Sequence, residues 1–131
     1  MKQIKKIRLA KMVLEGFKGF EERFEIMFDK ENEIVGHNSK GKSSLFDAII
    51  WTFTGSNRDG KVKDIDIVNN NKDKARVIIT FYDQDEEIHE ITRSLRRDSS
   101  SRIKLDLEPI AQKDLNEVIS SEGIMTVVNP L

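Results

Sequence analysis

Apolar and polar positions alternate along the first third of the chain. From Ile7 to Leu14 apolar residues dominate, interrupted by Arg8 and Lys11, and Gly16-Phe17-Lys18-Gly19 follows as a turn. Phe24, Ile26 and Phe28 then alternate with Arg23, Glu25 and Met27. This period of two predicts a half-buried strand returning antiparallel to the first. Asp29–Asn32 reads as the next turn and Glu33–Val35 as a short buried strand. Beyond residue 43 the pattern changes. Leu45, Phe46, Ala48, Ile49, Ile50, Trp51 and Phe53 leave almost no polar face. They predict a helix over Ser44–Thr54, buried on several sides between two sheet layers or against a partner. Gly55 ends it, since glycine takes the left-handed cap readily. Ser56–Lys74 is polar and predicts an irregular excursion with a turn around Val62–Val68. Three runs follow, Ala75–Tyr82, Ile88–Leu95 and Arg102–Leu107, the last with Ile103, Leu105 and Leu107 on one face. Their short polar links predict an antiparallel meander. A helix over Gln112–Ser121 comes next, with Ile124–Leu131 unassigned.

The chemistry sits between the third strand and the buried helix. Gly36-His37-Asn38-Ser39-Lys40-Gly41-Lys42-Ser43 fits the phosphate-binding pattern G-x-x-x-x-G-K-[ST]. Glycines let the backbone curl so that successive N–H groups point at phosphate oxygens, at the positive end of a helix. Lys42 then reaches the β- and γ-phosphates, and the Ser43 hydroxyl joins a Mg2+ shell. The strand before and the helix after supply the context this motif requires.

Composition narrows the picture. A chain of 131 residues makes one domain, short for a complete ATPase of this class, and a net charge of −1 argues against a general polyanion binder. There is no cysteine, which removes disulfides and thiolate metal sites and suits a reducing cytoplasm. No apolar run approaches the ~20 residues of a membrane span. Lys2, Lys5, Lys6, Arg8 and Lys11 form a local basic bias suited either to nucleic-acid phosphates or, the favoured reading, to the solvated face of a first strand.

A working ATPase of this kind also needs an acid at the end of a second, parallel strand. Val77–Asp83 superficially offers one, but Asp83 opens the acidic turn Asp83-Gln84-Asp85-Glu86-Glu87 and the chain returns directly. The expectation is a chain that binds nucleotide without hydrolysing it efficiently. A small complete NTPase using Asp83 and a stand-alone, non-hydrolysing interaction module are the alternatives.

The order of these features resembles one family. Val13–Phe20 resembles the "GFKSF" opening of SMC-superfamily ATPases, and Gly36–Ser44 with Leu45-Phe46-Asp47-Ala48-Ile49 resembles their "GxNGxGKSSLLDAI". Ile91-Thr92-Arg93-Ser94-Leu95-Arg96-Arg97 is similar to the "ITRRFRR" segment of the SbcC-type DNA double-strand-break repair branch. Trp51–Gly55 is similar to related ATPases encoded by bacteriophages. The resemblance implies an α/β P-loop NTPase half-head of the ABC-ATPase kind, with a central sheet, a buried helix and an antiparallel β layer. Residues 1–131 would be the N-terminal lobe, with the coiled coil and C-terminal lobe absent. It implies ATP and Mg2+ as cofactors, held by Lys18, Gly36, Asn38, Ser39, Lys40, Gly41, Lys42, Ser43, Ser44, Val68 and Asn69, with Ser43 on the metal. Implied partners are the C-terminal lobe, which supplies the catalytic acids, a second head across sandwiched ATP, DNA and a nuclease subunit. A cytoplasmic, nucleoid-associated location follows from the same resemblance. The family's Q-loop glutamine is not recognisable, and Asn129 stands near its place. His37 and His89 read as incidental.

Overall fold

In the computed structural model the described residues are 3–28, 39–56, 67–97 and 99–128; for 39–44, 127 and 128 the backbone alone is described. The strands are β1 (Arg8–Glu15), β2 (Phe24–Met27), β3 (Lys74–Tyr82), β4 (Ile88–Arg96), β5 (Arg102–Leu105) and β6 (Glu108–Ile110). The helices are α1 (Ser39–Thr54), α2 (Gln112–Val118) and α3 (Ser121–Val128). Among the described residues the strands form one antiparallel sheet in the order β2-β1-β3-β4-β5-β6.

The alternation in β3 explains the layering. Ala75, Val77, Ile79 and Phe81 are fully buried, while Arg76, Ile78, Thr80 and Tyr82 face the other way and are partly covered. Registry with β4 continues the buried face through Ile91, Arg93 and Leu95, and β5 adds Ile103 and Leu105. On β1, Met12 and Leu14 join it. A bulge at Ala10 shifts the β1–β3 ladder between Leu9 and Lys11, and the Ala10 carbonyl accepts from the Phe28 N–H at 2.9 Å instead.

Helix α1 lies across this face, against β3, β4 and α3. Leu45, Ala48, Ile49, Trp51 and Phe53 are buried, and no residue from Leu45 to Thr54 is exposed. Phe53 meets Phe81 edge-on at 5.6 Å and Trp51 meets Phe17 at 5.5 Å. Each large side chain buried in this way contributes about 1.5–3 kcal/mol. Among the described residues one sheet and α3 pack against the helix. Gly55, at φ +78, caps it as expected, its N–H donating to the Trp51 carbonyl at 2.7 Å.

Three boundaries differ from the sequence reading. Helix α1 starts at Ser39, not Ser44, so Ser39–Ser43 form its first turns. Serine and lysine are compatible with a helix start, and the buried remainder supplies a nucleus onto which they add. The run expected to continue to Leu107 stops at Leu105. Asp106 (φ +52) and Leu107 (φ +73) make a tight turn into β6, leaving Leu107 76% exposed, not facing the core. The helix expected over Gln112–Ser121 ends at Val118, because the chain straightens for a bridge between Ile119 and Ile4 and re-enters helix as α3. The expected strand Glu33–Val35 and the turn around Val62 lie outside the described residues.

Candidate nucleotide site

The turn after β1 is built by local necessity. Gly16 has φ +67, and a Cβ there would stand 2.1 Å from the Lys74 carbonyl oxygen, so only glycine fits between the two strand ends. Phe17 is buried against Trp51 and pairs with Phe20 and with Val68. Lys18 follows at φ +48 with its backbone held on both sides. Its N–H donates to the Ile67 carbonyl at 2.7 Å, and its carbonyl accepts from Asn69 Nδ2 at 2.6 Å. Its side chain reaches α1, where Nζ donates to Asp47 Oδ2 at 2.8 Å.

Three segments far apart in sequence therefore meet: the Lys18 turn, helix α1 and the Val68–Asn69 segment. Val68 is a core residue. Asn69 is a brace, since its Oδ1 accepts from the Asn71 N–H at 2.8 Å and its own N–H donates to the Gly16 carbonyl at 2.7 Å. Arg97 secures the same loop from just past the end of β4, donating through Nε to the Lys72 carbonyl and through Nη2 to the Asn69 carbonyl. Of the other expected ligands, Ser39, Lys40, Gly41, Lys42, Ser43 and Ser44 occupy the first turns of α1. Gly36, Asn38 and Asn129 lie outside the described residues.

Two residues that sequence reasoning passed over are prominent. Asp47 is buried and pairs with Lys18; the only signal for it was an acid inside an otherwise apolar helix. Arg93 is buried beneath α1. Its guanidinium donates to the Thr52 carbonyl, to Ser101 Oγ at 2.9 Å and to Gln112 Oε1, and lies 5.7 Å from the centre of the Trp51 ring. Burial lowers its pKa to about 10, which still leaves it charged at neutral pH. Arg93 and Arg97 of the Ile91–Arg97 segment thus tie the fold together internally.

At the opposite end of the sheet Asp83 is committed to its turn. Oδ1 accepts from the Asp85 and Glu87 N–H groups at 2.8 and 3.0 Å, and Oδ2 lies 2.7 Å from His89 Nε2. His89 Nδ1 lies 2.8 Å from Asp106 Oδ2, and the ring stacks on Phe81. A neutral imidazole has one donor and one acceptor, so two carboxylate partners call for the charged ring. Burial opposes that charge, but the hydrogen bonds and charges of Asp106 and Asp83 outweigh it and raise the His89 pKa above its ordinary value. The reading of His89 as incidental is corrected. The NTPase reading of Asp83 also loses its basis. Its strand is antiparallel to both neighbours, and α1 begins towards Lys18 and brings Phe53, its penultimate residue, to Phe81 beside Asp83.

A family described as the RecF/RecN/SMC N terminal domain matches residues 8–127. The chromosome partition protein Smc of Bacillus subtilis is 30% identical over 131 residues, covering 88% of this chain and 11% of that protein. The chromosome condensation protein dpy-27 of Caenorhabditis elegans is 29% identical over 108 residues, covering 70% and 7%. The chain thus spans about a tenth of the length of these curated relatives. Among solved structures, the SMC head domain from Thermotoga maritima superposes with a TM-score of 0.63 at 29% identity, over 84% of this chain and 41% of that one. The recombination mediator protein RecF bound to ATP gives 0.72 at 21% identity, over 87% and 31%. Fold, residue order and matched length agree: this chain belongs to the RecF/RecN/SMC N-terminal domain family.

Proposed function

We propose that this chain holds the triphosphate of ATP at the start of α1 and hydrolyses it only when joined by a C-terminal lobe. The observation that carries the reading is the convergence of Lys18 and the Asn69 brace on the helix that issues from the phosphate-binding motif. The first amides of a helix have no partner within it and carry partial positive charge, a setting suited to phosphate oxygens. Gly36, Asn38 and the free amides at the start of α1, from Ser39 to Lys42, would cradle the phosphates, Lys42 would neutralise the terminal ones, and Lys18 would add a second cation from the turn. The donor set fits an anion: glycines, amides and two ammonium groups. Mg2+, when bound, would offset phosphate charge, with the Ser43 hydroxyl as the ligand from this chain. Val68 and Asn69 would act by holding the Lys18 backbone in place.

The catalytic acids belong to a partner lobe in this reading, since Asp83, the acid singled out in the sequence, is spent on a hairpin. Work on related SMC ATPases concerns ATP-driven dimerisation and DNA-stimulated activation. Pairing of two heads across ATP, and a role on DNA in repair or recombination with a nuclease partner, are proposed here on that likeness and on the Ile91–Arg97 resemblance.

Calorimetric titration with Mg-ATP tests the reading. Lys42→Ala removes a charge-assisted contact of about 1.5–3 kcal/mol and is expected to weaken binding about 10- to 100-fold. Unchanged affinity would overturn the phosphate assignment. Hydrolysis should appear only after a C-terminal lobe is added.

A further inference from the structure

Resting on the nucleotide reading above, we propose that Asp47 is a positioning residue: it holds the Lys18 ammonium beside the phosphate-binding end of α1, so that Lys18 meets the triphosphate already in place. Several observations lead to Asp47 rather than to Lys18 alone. Lys18 keeps a left-handed backbone, which a side-chain-bearing residue adopts at a cost, and both its N–H and its carbonyl are bonded to the 67–69 segment. The turn is thus rigid up to the Cα, and the remaining freedom lies in the four-carbon stem. Immobilising such a stem costs rotamer entropy. The 2.8 Å contact with Asp47 meets that cost before any ligand arrives.

The placement on the helix supports a role towards phosphate. Asp47 lies four residues after Ser43, one turn on and on the same face, about 6 Å along the axis. Its side chain tilts towards the N-terminus, as all helical side chains do. Without a counter-charge, Lys18 would swing out to solvent. Asp47 supplies the counter-charge from within the helix, where its side chain is 9% exposed against 26% for that of Lys18. An ammonium has three donors and this contact uses one, so Lys18 can keep Asp47 and still donate to a phosphate. As a mere stabiliser the pair would be a poor device, since desolvating a carboxylate offsets most of what the attraction returns.

The experiment is a double-mutant cycle on the full chain, read as affinity for a fluorescent ATP analogue with Mg2+ and, in parallel, for the corresponding AMP analogue. Lys18→Ala and Asp47→Asn are each expected to weaken ATP about three- to tenfold. The double variant should be no weaker than Lys18→Ala alone, AMP affinity should stay unchanged, and Asp47→Glu should restore most of the loss. An Asp47→Asn loss that persists undiminished in the Lys18→Ala background overturns the proposal, as does a gain in ATP affinity. If circular dichroism shows that Asp47→Asn does not fold, Asp47→Ser is put through the same cycle and judged by the same outcomes. Failure of the wild-type chain to bind ATP would instead remove the nucleotide reading. Binding that is sensitive to Lys42→Ala, with no coupling between positions 18 and 47, would sink only the role of Asp47.

Discussion

The two ends of the sheet carry similar polar groups and use them differently. At one end Lys18 and Asp47 form a cross-element ion pair, tying the β1–β2 turn to α1, with the ammonium still able to donate elsewhere. At the other end Asp83, His89 and Asp106 bind one another and the hairpin amides, so that both ring nitrogens and the Asp83 carboxylate are occupied. The first arrangement leaves a cation available to a ligand, while the second closes a turn. A carboxylate at the end of a strand therefore says little about catalysis until its hydrogen bonds are counted.

The comparison can be broken in three places. The largest effect is expected from Gly16→Ala. Its Cβ would meet the Lys74 carbonyl, and with a left-handed backbone the loss should be about 3 kcal/mol or more, read as a shifted urea midpoint. That change would disturb the Lys18 turn and lower nucleotide affinity with it. Asp83→Ala should cost about 2–3 kcal/mol by leaving two turn amides and His89 without their acceptor, yet leave ATP affinity as it was. Lost affinity in that variant would mean that the two ends are coupled.

The smallest effect is the sharpest. His89→Gln should cost about 1–2 kcal/mol at pH 6. Because folding raises the His89 pKa, its contribution is complete below about pH 6.5 and fades as pH rises through the folded value. Denaturation of both proteins from pH 5.5 to 9 should show the difference shrinking. A difference that grows with pH would contradict the charged staple.

Much of the frame was legible beforehand. The existence of strands β1 to β5 and of the apolar helix before Gly55 follows from local pattern, and in β5 alternation also sets Ile103 and Leu105 towards the core, whereas in β2 Phe24 is exposed. Helix α1 was misjudged at its start, where loop-like glycine and serine were recruited by an anchored helix. Strand β6 was missed because Leu107 takes the second left-handed position of its turn, where glycine is usual. Arg93 stood in the sequence only as part of a family-like segment, and packing showed it to be the polar core of the α1–sheet contact.

By itself the amino-acid order determined the phosphate motif, the strand faces and the family resemblance, since each rests on neighbours in the chain. Tertiary structure alone decided that Lys18 meets Asp47 across 29 residues, that Asn69 braces the same turn, and that His89 bridges Asp83 and Asp106. Those outcomes depend on which strand ends are brought together when the sheet closes over α1, and no local rule of propensity or spacing contains that information.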